Sequence, residues 1–370
     1  MSSTSGLEKT APVGTSQNRA IFSLVLASIG LQPDVLVGRC EDPLEAKTKE
    51  KIALFCDVPT GAVFSNPDVE DIYHVPLKVE EEGLDEYVMD ELDLRGRALA
   101  ESDRRNGWRA LVTQETTGEV TVALVGKYGL EDAYISIHES LKHAGLEHNV
   151  DVTTEWIHAE DLAAGHGGQL DDVEAVVVPG GFGSRGVDGK IEAVRYAREA
   201  DVPFLGLCLG FQVGVIEYAR NVLGLEGAHS AEIEPDTPHP VIDLLPEQKE
   251  LDDMGGTMRL GAHVTEIEAG TLAHEVYGHT SCTERHRHRY EVNPEYIDDL
   301  EAAGLRFSGT SGRRMEILEL PGHPYFFGTQ FHPEFRSRPG RASPPFVGLL
   351  GAVLGGRDGE REAESGEVEV

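Results

Sequence analysis

The chain has 370 residues, 40% hydrophobic and 26% charged, enough for two globular domains and outside the collagen-like, mucin-like and wholly disordered classes. Its 65 acidic against 32 basic residues give a formal net charge of -33, a field that repels phosphate backbones and anionic lipid. Nonspecific nucleic-acid and membrane-surface binding are therefore excluded, and the scarcity of lysine, nine against 23 arginines, resembles the surface of halophilic cytosolic proteins.

Residues 1–18, rich in Ser, Thr and Gly, are expected to form a disordered leader. Residues 19–92 alternate apolar runs such as Lys51-Ile52-Ala53-Leu54-Phe55 with polar turns, a short α/β segment too small for a complete domain. Residues 93–119 are charged without a sustained period and are expected as a linker. A second unit, residues 120–356, opens with a strand over Val120–Val125 and a helix over Glu131–His143. It continues with strands at Val150–Ile157 and Val176–Val178, a glycine loop, a helix over Gly189–Ala200, a strand over Pro203–Leu207 and a helix from about Gly210. This alternation predicts an α/β fold with a parallel sheet covered on both faces and its site at the carboxyl ends of the strands. Residues 357–370 form an acidic tail, expected to be disordered.

Four cysteines, Cys40, Cys56, Cys208 and Cys282, show no CxxC spacing, so neither a disulfide framework nor a thiol zinc site is expected. The apolar stretches Ala20–Leu31 and Phe346–Gly356 fall short of the roughly 20 residues that span a bilayer. A soluble, cytoplasmic protein is expected.

Gly206-Leu207-Cys208-Leu209-Gly210 stands where a buried strand meets a helix and reads as a nucleophile elbow with cysteine in place of serine. The helix amino terminus faces that sulfur, a setting that stabilises negative charge. A buried structural cysteine is the alternative. In Phe331-His332-Pro333-Glu334, positions i and i+2 of an extended chain project to one side, so Glu334 can orient His332 toward Cys208. Cys208 and His332 are expected to face each other at one sheet edge.

Pro179-Gly180-Gly181-Phe182-Gly183-Ser184-Arg185-Gly186 contains a literal G-x-G-x-x-G, but Asp201 precedes the next strand instead of ending it, which argues against a dinucleotide site. Such a loop can instead turn the Gly181 N–H toward an oxyanion, with Leu209 donating the second. In Glu284-Arg285-His286-Arg287-His288-Arg289-Tyr290, the arginines share one face of an extended chain and the histidines the other. Two histidines without a partner cluster make a poor metal site, and no metal is expected. The arginines suit carboxylate recognition, or else an ion-pair network.

Together with Val125-Gly126-Lys127-Tyr128 and Gly255-Gly256-Thr257-Met258-Arg259-Leu260-Gly261, these motifs make residues 120–355 closely resemble the glutaminase domain of the CTP synthase family. The resemblance implies a parallel-sheet class I glutaminase fold with a Cys208, His332, Glu334 triad. It also implies glutamine held by Gly181, Leu209, Gly210, Phe211, Gln212, Glu232 and Arg289. The segment from Ser28 to Leu92 is similar to the end of the family's synthetase domain, where the lysine matching Lys51 contributes to the UTP/CTP site. In that family ATP and magnesium drive UTP amination, GTP activates, and the intact protein is a homo-oligomer. The long ATP-binding region and a Lys-Thr-Lys-Pro-Thr-Gln segment have no counterpart before Ser28, so the chain is expected to be a fragment or the product of a misread gene start. A stand-alone γ-glutamyl hydrolase and a non-catalytic regulatory remnant are the competing readings.

Overall fold

The computed structural model describes residues 29–94, 103–127, 131–165, 167–245 and 258–366. The expected leader over 1–18 and the Gly255–Thr257 part of the family motif lie outside the described residues. Two compact units divide the chain between Thr113 and Gln114.

In the first unit β1 (Leu36–Cys40) and β2 (Val63–Pro67) pair in parallel, Leu36 opposite Val63, and α1 (Ala46–Cys56) makes the crossover between them. Ile52, Ala53 and Cys56 of α1 pack with Val58, Ala62 and Val63 in a small core. Then come α2 (Val75–Glu81), α3 (Leu84–Glu91) and α4 (Asp103–Val112). The last of these corrects the expected linker over 93–119, because part of it is a helix belonging to the first unit. Trp108 meets Tyr73 edge-on at 5.8 Å between ring centroids, and Arg109 donates to Glu80 at 3.0 Å. Contacts between partners this far apart in sequence leave no local period to read.

The second unit begins with β3 (Glu119–Gly126), α5 (Ile135–His148), β4 (Asp151–His158), α6 (Ala159–Ala163), β5 (Ala175–Val178), α7 (Val187–Glu199), β6 (Phe204–Leu207) and α8 (Leu209–Asn221). Next come β7 (His229–Ser230), β8 (Pro240–Asp243), β9 (Arg259–Ile267), α9 (Leu272–Tyr277), β10 (Ser281–His288), β11 (Glu291–Val292) and α10 (Ile297–Ala302). The unit closes with β12 (Arg306–Ser311), β13 (Arg314–Glu319), β14 (Phe326–Thr329) and α11 (Pro344–Gly366).

Nine of these strands form one sheet in the order β10-β9-β12-β13-β14-β6-β5-β3-β4. The five from β14 to β4 are parallel, as the alternation of strands and helices predicts. The other four extend it antiparallel. In β5, Val176 and Val178 enter the core with α7 and α8, whereas Ala175 and Val177 enter the core with α5 and α11. A strand covered on both faces has no polar side, so it reads as an unbroken apolar run.

Two boundaries differ from expectation. A 3-10 turn over Glu131–Tyr134 precedes α5, which runs on to His148. The tail expected to be disordered from residue 357 is helical through Gly366. Phe346, Leu349, Leu350 and Val353 dock the first half of α11 on the sheet, and the following Arg, Glu and Ala residues favour continuing a helix already begun. Arg357 anchors this continuation, donating to Glu174 at 2.6 Å and to the Glu119 carbonyl at 2.7 Å. Among the described residues no helix is long and apolar enough to cross a membrane.

Candidate active site

Cys208 is the single residue between β6 and α8, with φ 52° and ψ -96°. A non-glycine residue with positive φ stores strain, and such strain clusters at functional sites. The flanking glycines are required by close approach. A Cβ on Gly206 would lie 2.7 Å from the Gly210 carbonyl carbon, and one on Gly210 would lie 2.1 Å from the Val178 oxygen. The Cys208 N–H donates to Thr329 O at 2.7 Å, tying the elbow to the neighbouring parallel strand β14.

That strand leads directly into His332. The expected mutual orientation of His332 and Glu334 is present, with Nδ1 to Oε1 at 2.7 Å, but its cause differs. Glu334 lies in a 3-10 turn over Pro333–Arg336 rather than in an extended chain. The turn folds the carboxylate back onto the ring. Gly180 packs against both other partners, since a Cβ there would lie 2.9 Å from His332 Cε1 and 3.6 Å from Cys208 Cβ. Burial lowers the proton affinity of His332. The charge and hydrogen bond of Cys208, together with Glu334, outweigh that and bring the imidazole up to about 11. Cys208, His332 and Glu334 thus meet in one place, with the imidazole between the sulfur and the carboxylate.

Of the expected glutamine-binding residues, Gly181, Leu209 and Gly210 lie beside this group. Gly181 lies against Leu209, whose Cδ2 would be 3.4 Å from an added Cβ, so the glycine loop and the start of α8 flank Cys208 together. Leu209, Gly210 and Phe211 form the first turn of α8. The Phe211 ring is fully buried and packs 6.5 Å from Phe307, which leaves its backbone as the part able to reach a ligand. The Gln212 amide is also turned inward, donating to Tyr290 O at 3.1 Å and Gln330 Oε1 at 3.2 Å. Arg289 follows the end of β10 and acts electrostatically on Glu232, whose carboxyl is raised by burial against the opposing pull of that guanidinium.

Within β10 the faces divide as expected. Arg285 and Arg287 are exposed, whereas His286 and His288 are buried. Glu316 joins the two histidines, their ligand atoms lying within 4.8 Å of one another. His286 Nδ1 and His288 Nε2 stand 2.9 Å apart and share a hydrogen, a separation too short for two ligands of one tetrahedral metal. Arg259 also pairs with Glu316. Burial, then Arg259, brings His286 down to about 2 and His288 to about 3, which favours neutral rings in this buried cluster.

Family models match the chain twice: glutamine amidotransferase class-I over residues 130–352, and CTP synthase N-terminus over residues 3–94. The chain belongs to the class-I glutamine amidotransferases, in the CTP synthase family. It is 70% identical over 355 residues to the CTP synthase of Haloarcula marismortui, covering 95% of this chain and 63% of that protein. Against the CTP synthase of Halobacterium salinarum it is 65% identical over 368 residues, covering 100% of this chain and 66% of the relative. The chain therefore spans somewhat less than two thirds of these relatives. A solved Trypanosoma brucei CTPS glutaminase domain with bound acivicin is similar at 36% identity and a TM-score of 0.60, over 64% of this chain and 94% of that one.

Sequence reasoning missed one buried lysine beside the elbow. Lys190 of α7 is only 1% exposed, donates to the Pro179 carbonyl at 3.2 Å, and its Nζ would be 3.7 Å from a Cβ on Gly181. Burial, then Lys127, brings it down to about 7, while Cys208 opposes the fall. The signal was present in the sequence: Lys190 takes the core position between Val187 and Val194 in the helical period. Lys127 also bonds the Phe182 carbonyl and lies 4.6 Å above the Phe182 ring.

In the first unit Lys51 is exposed on α1. A surface hollow of about 410 Å³ nearby in sequence is lined by Arg39, Asn66, Asp68 and Val75, and Lys51 is not among its lining residues. Among the described residues of this unit, no three carboxylate, histidine or cysteine groups converge as magnesium ligands.

Proposed function

We propose that this chain hydrolyses glutamine to glutamate and ammonia, and that the family-length protein uses the ammonia to aminate UTP to CTP at the expense of ATP. The observation that carries the reading is Cys208 in a strained strand-to-helix elbow beside a His332 that Glu334 holds at 2.7 Å. Cys208 sulfur attacks the side-chain amide carbon of glutamine, and the carbonyl oxygen becomes an oxyanion. Leu209 and Gly181 N–H groups stabilise it. His332 gives its proton to the departing nitrogen, which leaves as ammonia and yields a thioester. The neutral imidazole then takes a proton from water, the resulting hydroxide attacks the thioester, and glutamate leaves as Cys208 is restored. Arg289 receives the substrate's α-carboxylate and Glu232 its α-ammonium, because a guanidinium matches a carboxylate bidentately. Gly210, Phe211 and Gln212 complete this pocket, the last two through backbone and packing.

Lys51 contributes to pyrimidine-nucleotide binding in the family-length protein, where ATP, magnesium and GTP also act and the chains assemble as homo-oligomers. Four free cysteines and an acidic composition support a cytoplasmic location. The test is direct. Purified chain incubated with glutamine should release ammonia and glutamate, and Cys208→Ala should abolish the release. Equal release by Cys208→Ala would end the reading.

A further inference from the structure

The inward face of β10 carries half-buried Cys282 and buried Glu284, His286 and His288, which the hydrolysis above does not use. Glu284 is the member flanked by two ties to the turn that carries Glu334. The His332 N–H donates to Arg285 O at 2.8 Å, and the Arg336 guanidinium bonds Thr283 O. Residue 334 falls between 332 and 336, and residue 284 falls between 283 and 285, so the two clamps hold the turn of Glu334 alongside Glu284, whose carboxyl feels the Glu334 charge. Both carboxyl groups are buried, and Oε2 of each lacks a hydrogen-bond partner. Buried polar atoms of this kind demand a partner. Each of these two oxygens is the other's natural complement, provided one carboxyl carries a proton.

We propose that Glu284 is a positioning residue of the glutaminase site, a neutral carboxylic acid whose O–H is given to the free oxygen of Glu334 and so fixes the orientation of His332. This rests on the glutaminase reading. The charge state agrees with the geometry: burial raises Glu284 to about 8, with Arg336 opposing and Glu334 adding to the rise. Facing Glu284 are Glu334 and Arg336 of the 3-10 turn, Tyr277 of α9, Cys282 and His286 along β10, and His263 opposite it on β9. Above about pH 8 Glu284 loses its proton, two carboxylates confront each other, and the hold on Glu334 is lost.

The test compares wild type, Glu284→Ala and Glu284→Gln in two readouts: glutamine kinetics from pH 6 to 10, and the rate of iodoacetamide labelling of the Cys208 peptide over the same range. Glu284→Ala is expected to lower kcat by about tenfold or more with KM unchanged, the scale of a misplaced catalytic group. Glu284→Gln keeps a donor that never ionises. It should restore most of that kcat and abolish the alkaline fall seen in wild type. A Glu284→Gln profile with the wild-type alkaline fall, or a Glu284→Ala enzyme with wild-type kcat, overturns the proposal. Labelling decides the matter without turnover, because the alkaline change in Cys208 reactivity must disappear in Glu284→Gln. If wild type hydrolyses no glutamine, the glutaminase reading falls while the labelling profiles still judge Glu284.

Discussion

Lys190 sits in the interior with the Pro179 carbonyl 3.2 Å from its ammonium, and burial places its titration near 7 against an ordinary 10.5. Between those values the unfolded chain holds a proton that the folded chain lacks, so stability contributed at this position rises with pH. At and below pH 7 the folded state carries the full cost. Lys190→Met should therefore raise the melting temperature, most at pH 7 and below and hardly at all above about pH 10.5. A variant less stable than wild type at pH 7 would mean that the ammonium's tie to the Pro179 loop outweighs its burial. Arg289 makes a separate prediction. Arg289→Ala should raise the KM for glutamine by about tenfold to a hundredfold, the range of a lost charge-assisted pair, with circular dichroism unchanged. An unchanged KM would remove Arg289 from substrate recognition.

The elbow shows how an element forces residue choice. β6 and α8 approach so closely that Gly210 rests on the Val178 backbone of β5. Gly210→Ala has no flexible neighbour to displace, because the obstructing atom is a main-chain oxygen 2.1 Å from the new Cβ. It should destabilise the second unit by about 1–3 kcal/mol, the cost of overpacking, and depress glutamine hydrolysis as Cys208 shifts. Chemical denaturation alongside an ammonia assay checks both. The strands β3 to β6 and β14 that build this elbow differ from β9 and β10 in how they announce themselves. Ala175–Val178 is apolar throughout because both faces are covered, whereas Ser281–His288 alternates arginines and exposed polar residues with buried Glu284, His286 and His288. Charged residues on both faces hide a strand from any apolar period, so the antiparallel half of the sheet was not anticipated.

Across the whole molecule the dominant quantity is charge. With -33 on 370 residues, self-repulsion opposes compaction, and salt shortens its reach from about 8 Å at physiological strength to about 3 Å at 1 M. The melting temperature should climb steeply between about 0.15 and 1 M KCl. A flat response would show that the acidic surface is not limiting stability.

The sequence by itself determined the parallel core, the elbow at Cys208, the pairing of His332 with Glu334 and the exposed arginines of β10. Each depends on neighbours in the chain, through glycine spacing, apolar runs or alternation. Tertiary structure alone decided that α4 belongs to the first unit, that the turn at Pro333 rather than an extended strand closes His332 onto Glu334, and that Lys190 lies under the Gly181 loop. These are encounters between segments distant in sequence, made by sheet register and by which side chain the packed faces enclose, and no local pattern encodes them.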